Sequence, residues 1–326
     1  MTLWNGTFPF YPGAKECFPF DTTRAVIISV FLSVLATFII ILPGIRGRGR
    51  LFWFLRVVMG LFTGAVVLTV QFTRDWETGW VAANTSYKSF SHALVNVNIG
   101  LHIGLAGVNV TLVGNPVNQL NETINYNEHF DWSFHADYDR SYDKGLEKGL
   151  PSPILYVAEK FTTQSPCGMH KQYRISSHYT SLTLWMAFCT WLISILLFSM
   201  PILLYGACML LLTAVLMLSS LLFFTARNTP KCPVQFGPAS LKTDYGGSFW
   251  LTLATGLLCL LLGLGVIILN SLQPEKLKLV FNLDKGKGEE EEGWNKSHLP
   301  AKPSSSAQDT LMVPLGELCE VTTTQL

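Results

Sequence analysis

Val95-Asn96-Val97-Asn98-Ile99-Gly100-Leu101-His102-Ile103-Gly104-Leu105 places an apolar side chain at every odd position and a polar or small one at every even position. Successive side chains of an extended strand point to opposite faces, so a sustained period of two predicts a strand with one buried face. Gly104-Leu105-Ala106-Gly107 can turn the chain, after which Val108, Val110 and Leu112 alternate with Asn109 and Thr111. The two runs predict an antiparallel hairpin with one apolar face. Downstream the period changes. Phe134, Tyr138, Tyr142, Leu146 and Leu150 recur at every fourth position, the stripe of an amphipathic helix, and Pro151 and Pro153 stop it. Ile154, Val157, Ala158 and Phe161 predict a short second helix. A small sheet with helices available to cover it is a domain, too large for a connecting loop.

This domain, residues 73–178, interrupts a chain that otherwise reads as membrane. Hydrophobic residues make up 49% of the sequence and charged ones 14%, with a net charge of +1. Five mostly apolar segments are long enough to cross a bilayer: 25–45, 51–72, 179–200, 202–224 and 248–269. The expected fold class is therefore a polytopic α-helical membrane protein with five transmembrane helices and a mixed, β-rich domain between the second and third. Around these lie an N-terminal segment (1–24), a basic loop (46–50), a second loop (225–247) and a tail (270–326).

Two independent signals place the domain outside the cell. It carries three Asn-x-Ser/Thr glycan acceptors, Asn84-Thr85-Ser86, Asn109-Val110-Thr111 and Asn121-Glu122-Thr123, and such acceptors are used on the lumenal side. Arg46, Arg48 and Arg50 crowd the loop after the first span, a cytoplasmic mark that sends the N-terminus and residues 73–178 outside. The loop 225–247 is then also exterior, although it carries Arg227, Lys231 and Lys242. The tail falls in the cytoplasm; its Glu289–Glu292 run and sparse apolar residues predict disorder.

The N-terminal segment has no basic start and no apolar core, so it does not read as a signal peptide. Trp4, Phe8, Phe10, Tyr11, Phe18 and Phe20 are interleaved with prolines, which predicts an extended segment that dips into the lipid interface or docks on a protein. Asn5-Gly6-Thr7 is a further acceptor, usable only if this end is lumenal. Cys17, Cys167 and Cys232 would share the oxidising side. Three is odd, so one thiol is free or one pairs with another chain; Cys167 with Cys232 is the preferred internal pair, each lying shortly outside a span, which leaves Cys17 over. Gly60 and Gly64 form a small-xxx-small pair at which helix backbones can approach.

Little in the sequence points to chemistry. No Lys/Arg concentration suggests nucleic acid. His129 and His135 with Asp131 and Asp137 could be drawn as a metal site, but they lack ligand spacing and read as solvated polar residues. The central parts of the spans contain no Asp, Glu, Lys or His, which argues against transport and against a haem subunit. No cofactor and no small-molecule substrate is expected. What remains is a protein that binds other proteins.

Longer words sharpen this. Phe8-Pro9-Phe10-Tyr11-Pro12, Leu42-Pro43-Gly44-Ile45-Arg46-Gly47, Asn84-Thr85-Ser86-Tyr87-Lys88, the run from Gln119 to Glu128, Leu146-Glu147-Lys148-Gly149-Leu150-Pro151, Ala158-Glu159-Lys160-Phe161-Thr162 and Ser165-Pro166-Cys167-Gly168 resemble the dual oxidase maturation factors. The resemblance runs from the N-terminus through the fifth span. It implies a claudin-like exterior domain, although Trp76-x-x-Gly79-Trp80 matches the claudin tryptophan motif only in part and the claudin cysteine pair is missing. It also implies a partner, a dual oxidase, which this chain would help to mature and leave the endoplasmic reticulum and then accompany at the plasma membrane. The oxidase would carry out the NADPH-dependent production of hydrogen peroxide. The competing reading is a claudin-type adhesion or barrier protein that assembles with copies of itself; a transporter or channel is the least supported.

Overall fold

A computed structural model describes residues 22–44, 50–88, 93–133, 136–200, 203–226, 232 and 234–272. Trp4, Asn5, Phe8, Phe10, Tyr11, Cys17, Phe18, Phe20, Arg46, Arg48, Arg227, Lys231 and the tail beyond 272 lie outside the described residues.

Five helices are long and apolar enough to cross a membrane: α1 (Thr22–Ile41), α2 (Arg50–Phe72), α5 (Met169–Ser199), α6 (Leu203–Thr225) and α7 (Gly247–Leu272). Helix α5 begins at Met169, well ahead of the apolar run that starts at Tyr179, so its first turns belong to the β-domain. Helices α2, α5, α6 and α7 pack together, whereas α1 rests chiefly on α2 and buries none of its residues. Lipid supplies no hydrophobic drive between helices, so close contact relies on small residues and interhelical hydrogen bonds. Both are present. Ala187, Ala207 and Ala214 are fully buried, Thr190 and Thr213 share a hydrogen bond of 2.9 Å, and the Ser194 hydroxyl donates to the Gly206 carbonyl at 3.0 Å.

Between α2 and α5 lies the expected sheet, built from β1 (Glu77–Ser86), β2 (Leu94–Ile103), β3 (Gly107–Gln119) and β4 (Glu122–Asp131). The loop between α6 and α7 adds β5 (Val234–Phe236), β6 (Ala239–Leu241) and β7 (Thr243–Tyr245). All pairings are antiparallel; the main sheet runs β4-β3-β2-β1-β7, and β5 and β6 form a separate hairpin. The expected β2–β3 hairpin is present in the register Ile103↔Val108, Leu101↔Val110 and Ile99↔Leu112. Val95, Val97, Ile99, Leu101 and Ile103 all point into the core, covered by α3 (Tyr138–Glu147) and α4 (Ser152–Glu159). β3 turns into β4 through Leu120 and Asn121, both at positive φ, the backbone twist that suits a two-residue hairpin loop.

The fourfold stripe is only partly a helix face. Helix α3 starts at Tyr138, capped by the Asp137 carboxylate, which accepts from the Asp139 amide. It ends with Gly149 at φ 68° and the Leu150 amide bonded back to Gly145. That left-handed cap swings Leu150 into the core from beyond the helix, while Leu146 stays 47% exposed. Phe134 lies outside the described residues. The second short helix meets its expectation, with Ile154, Val157, Ala158 and Phe161 fully buried.

Candidate partner-binding domain

The domain is joined to the helices through a polar and aromatic seam. Trp76, which follows α2, is fully buried against Phe224 at 5.0 Å, and its indole donates to the Val70 carbonyl at 2.8 Å. Beside it, Asp75 accepts from the Arg24 guanidinium and lies 3.2 Å from His102 Nδ1. The His102 hydrogen bond, followed by the Arg24 contact, outweighs partial burial and holds the Asp75 carboxyl down to about 2. Glu77 is buried two residues on and takes hydrogen bonds from the Tyr173 hydroxyl at 3.1 Å and the Thr243 hydroxyl at 2.5 Å. One carboxylate thereby ties β1 to α5 and to β7. The Gly246 and Ser248 amides bond the Trp76 and Asp75 carbonyls, so α7 is stitched to the same corner.

A second tie is covalent. Cys167, just before α5, is disulfide-bonded to Cys232 of the α6–α7 loop, with Cα atoms 5.8 Å apart. Val234, Phe236 and Leu241 follow it into the sheet core, and Phe236 meets Tyr156 of α4 edge-on at 5.4 Å. Farther in, Trp132, Tyr138, Phe161 and Tyr173 make one aromatic cluster. Tyr87 and Tyr126 share a hydrogen bond of 2.7 Å, and burial pushes both phenols up.

The face of the sheet opposite this core is polar. Across it, His102, Asn109 and His129 lie side by side, as do Gly100, Thr111 and Asn127. Trp80 stands over Gly100, where a Cβ would come within 2.6 Å of the indole, and Trp80 remains 57% exposed. A rigid aromatic on a polar, extended surface is equipment for gripping another protein, since such side chains bury much area at little entropic cost. Asn84 is exposed on β1, Asn121 is exposed at the β3–β4 turn, and Asn109 is half-buried in the middle of the face.

Within the bundle, Gly64 faces Trp191 of α5, and the Trp191 indole donates to the Gly60 carbonyl at 2.9 Å. Arg50 opens α2, and Arg56, nearly two turns further, donates to the Phe198 carbonyl at 3.0 Å. Sequence reasoning missed Asp75, Glu77 and the strand pairing of β7. It also missed β4, although Ile124, Tyr126 and Phe130 alternate with Asn125, Asn127 and His129.

Residues 10–285 match the family described as dual oxidase maturation factor. The chain is 55% identical over 284 residues to dual oxidase maturation factor 1 of Homo sapiens, covering 86% of this chain and 83% of that one. It is 53% identical over 300 residues to the Xenopus tropicalis protein of the same name, covering 92% and 96%. Dual oxidase maturation factor 2 of Mus musculus is 50% identical over 284 residues, covering 87% and 89%. The match takes in all five long helices and the sheet between the second and third, and the chain belongs to the dual oxidase maturation factor family.

Proposed function

We propose that this chain is a non-catalytic assembly, maturation and trafficking partner of a dual oxidase. The observation that carries the reading is family membership over nearly the whole described fold, by identity with proteins named for that role. The architecture supports it: a domain tied to its helices by Glu77, by Asp75 and by a disulfide is a rigid presenter of a surface. The domain and the N-terminus lie in the endoplasmic reticulum lumen and then outside the cell, and the C-terminus lies in the cytoplasm. The exterior domain and the aromatic N-terminal residues Trp4, Phe8, Phe10, Tyr11, Phe18 and Phe20 meet the oxidase's extracellular part, and the helices meet its transmembrane part. Asn84, Asn109 and Asn121 carry glycans. The oxidase moves the electrons; this chain binds no cofactor and turns over no substrate. The test is a pull-down of the full chain in mild detergent from cells that express a dual oxidase. The oxidase as the major companion supports the proposal, and its absence from the captured material while both proteins are present contradicts it.

A further inference from the structure

The outward face of the sheet has a glycan acceptor at its centre. Asn109 and Thr111 are the first and third residues of Asn109-Val110-Thr111, and because a strand alternates its side chains both point outward while Val110 is fully buried in the core. Asn109 stands between His102 and His129, and Thr111 continues the neighbouring row of Trp80 and Gly100. Amide, hydroxyl, imidazole and indole groups, with no Asp, Glu, Lys or Arg among them, make a surface suited to an uncharged, hydroxyl-rich guest.

Trp80 is fixed on this surface and still open to solvent. A Cβ at Gly100 would strike both the Trp80 ring and Thr111 Oγ1, so the indole and the acceptor's own threonine share the space that a side chain on β2 would fill. Thr111 is covered as a result and is buried although it faces outward. His102, which lies 3.2 Å from Asp75 through its Nδ1, meets the indole edge-on at 5.2 Å and braces it on the side toward Asn109. β1 and β3 stand about 10 Å apart, two strand spacings, and the indole crosses much of that gap. A sugar rooted at Asn109 therefore comes to the ring without any movement of the strands. An N-acetylglucosamine ring has one side made of C–H groups, which carry slight positive charge and match the negative face of an indole.

We propose that Trp80 is a binding platform for the chain's own carbohydrate: the inner N-acetylglucosamine residues of the glycan on Asn109 lie down on its indole. The glycan then clips β3 to β1 across β2 on the outward face, as the apolar core does on the inward face. The same ring would serve a protein interface, but a protein cannot lie flat on a surface from whose centre an oligosaccharide grows. The outward face is thereby closed to proteins, and contact with a partner falls to the other sides of the domain. The proposal rests on the reading that Asn109 is glycosylated and not on the identity of the partner.

The test is hydroxyl-radical footprinting of the full chain, made in glycosylating cells and purified in detergent, with Trp80 oxidation and Asn109 occupancy both read by mass spectrometry. An aromatic contact of ordinary strength holds its partner in place several times more often than not, so Asn109→Gln should raise Trp80 oxidation about threefold. Asn84→Gln and Asn121→Gln remove the neighbouring acceptors and should leave Trp80 as protected as in the native chain. If Asn109→Gln does not fold, enzymatic removal of glycans from the folded native chain gives the same comparison. Trp80→Leu, at an exposed position, should speed endoglycosidase release of the Asn109 glycan severalfold and leave the Asn84 and Asn121 sites unchanged. Equal Trp80 oxidation with and without a glycan on an occupied Asn109 overturns the proposal alone. So does protection that follows the Asn84 glycan, or that appears only when an oxidase is bound, which would make the face a protein contact. An unoccupied Asn109 in the native chain overturns the proposal together with the glycan reading beneath it.

Discussion

Replacing Gly64 by alanine tests how the helices meet. A Cβ at Gly64 would stand 2.1 Å from Trp191 Cζ2 and 2.3 Å from Cη2, so the indole has to retreat by more than an ångström. Trp191 has little room: it is 5% exposed, stacked on Phe188 at 5.2 Å and held by its hydrogen bond to the Gly60 carbonyl. Overpacking of a filled core costs about 1–3 kcal/mol, and loss of the indole hydrogen bond adds about 1 kcal/mol. Gly64→Ala should therefore destabilise by about 2–4 kcal/mol, on the order of 10 °C in the unfolding midpoint measured in detergent. Gly60→Ala is the internal contrast. Its Cβ would lie 3.5 Å from Ile195 Cδ1, an ordinary contact, and alanine is the better helix former, so that variant should melt with or slightly above the native chain. Adding Trp191→Leu to Gly64→Ala removes the clash, so the two changes should be less costly together than their separate effects summed. A Gly64→Ala chain that melts like the native one, or Gly60→Ala and Gly64→Ala that fall equally, would refute the packing argument.

Breaking the Cys167–Cys232 bond by Cys232→Ala should lower stability by about 4 kcal/mol, because the link closes a loop of 65 residues in the unfolded chain; a non-reducing peptide map of the native chain should show the two cysteines joined. Asp75→Asn should lower the unfolding midpoint at neutral pH. The folded carboxyl sits at about 2, below its ordinary value of 3.8, so its contribution is fully present above the unfolded value and disappears as pH falls through about 2. After allowance for its partial exposure that contribution is about 1–2 kcal/mol, and the gap between variant and native chain should close in acid, whereas a gap constant with pH would remove the charge from the explanation. Asn84→Gln and Asn121→Gln should each remove one glycosidase-sensitive step in apparent mass from the cell-expressed protein; absence of any glycosidase-sensitive mass on the native chain would contradict the exterior placement.

The parts of the fold that could be read from sequence are those in which one physical requirement dominates. The β2–β3 hairpin buries one face completely, so Val95 to Leu112 shows a period of two, and the long helices must be apolar around most of their circumference. β1 hid because its inward positions are Glu77, Gly79, Val81, Ala83 and Thr85 while the bulky Trp80 points outward, which inverts the usual pattern. β7 has three residues, too few for any period, and exists because Thr243 and Tyr245 pair with β1 across more than a hundred residues of chain. Asp75 and Glu77 read as ordinary surface acids, since nothing local announces the Arg24, His102, Tyr173 and Thr243 that surround them. The partner, by contrast, came from whole words of sequence: the polar sheet face with its exposed Trp80 is fit for binding but does not name what binds.

The most direct test of the central claim is co-expression of this chain with a dual oxidase, scoring oxidase at the cell surface and hydrogen peroxide in the medium. The account predicts that both rise only when the two proteins are made together, and that the chain alone produces no peroxide. Surface oxidase and peroxide unchanged by its presence, with both proteins expressed, would contradict it.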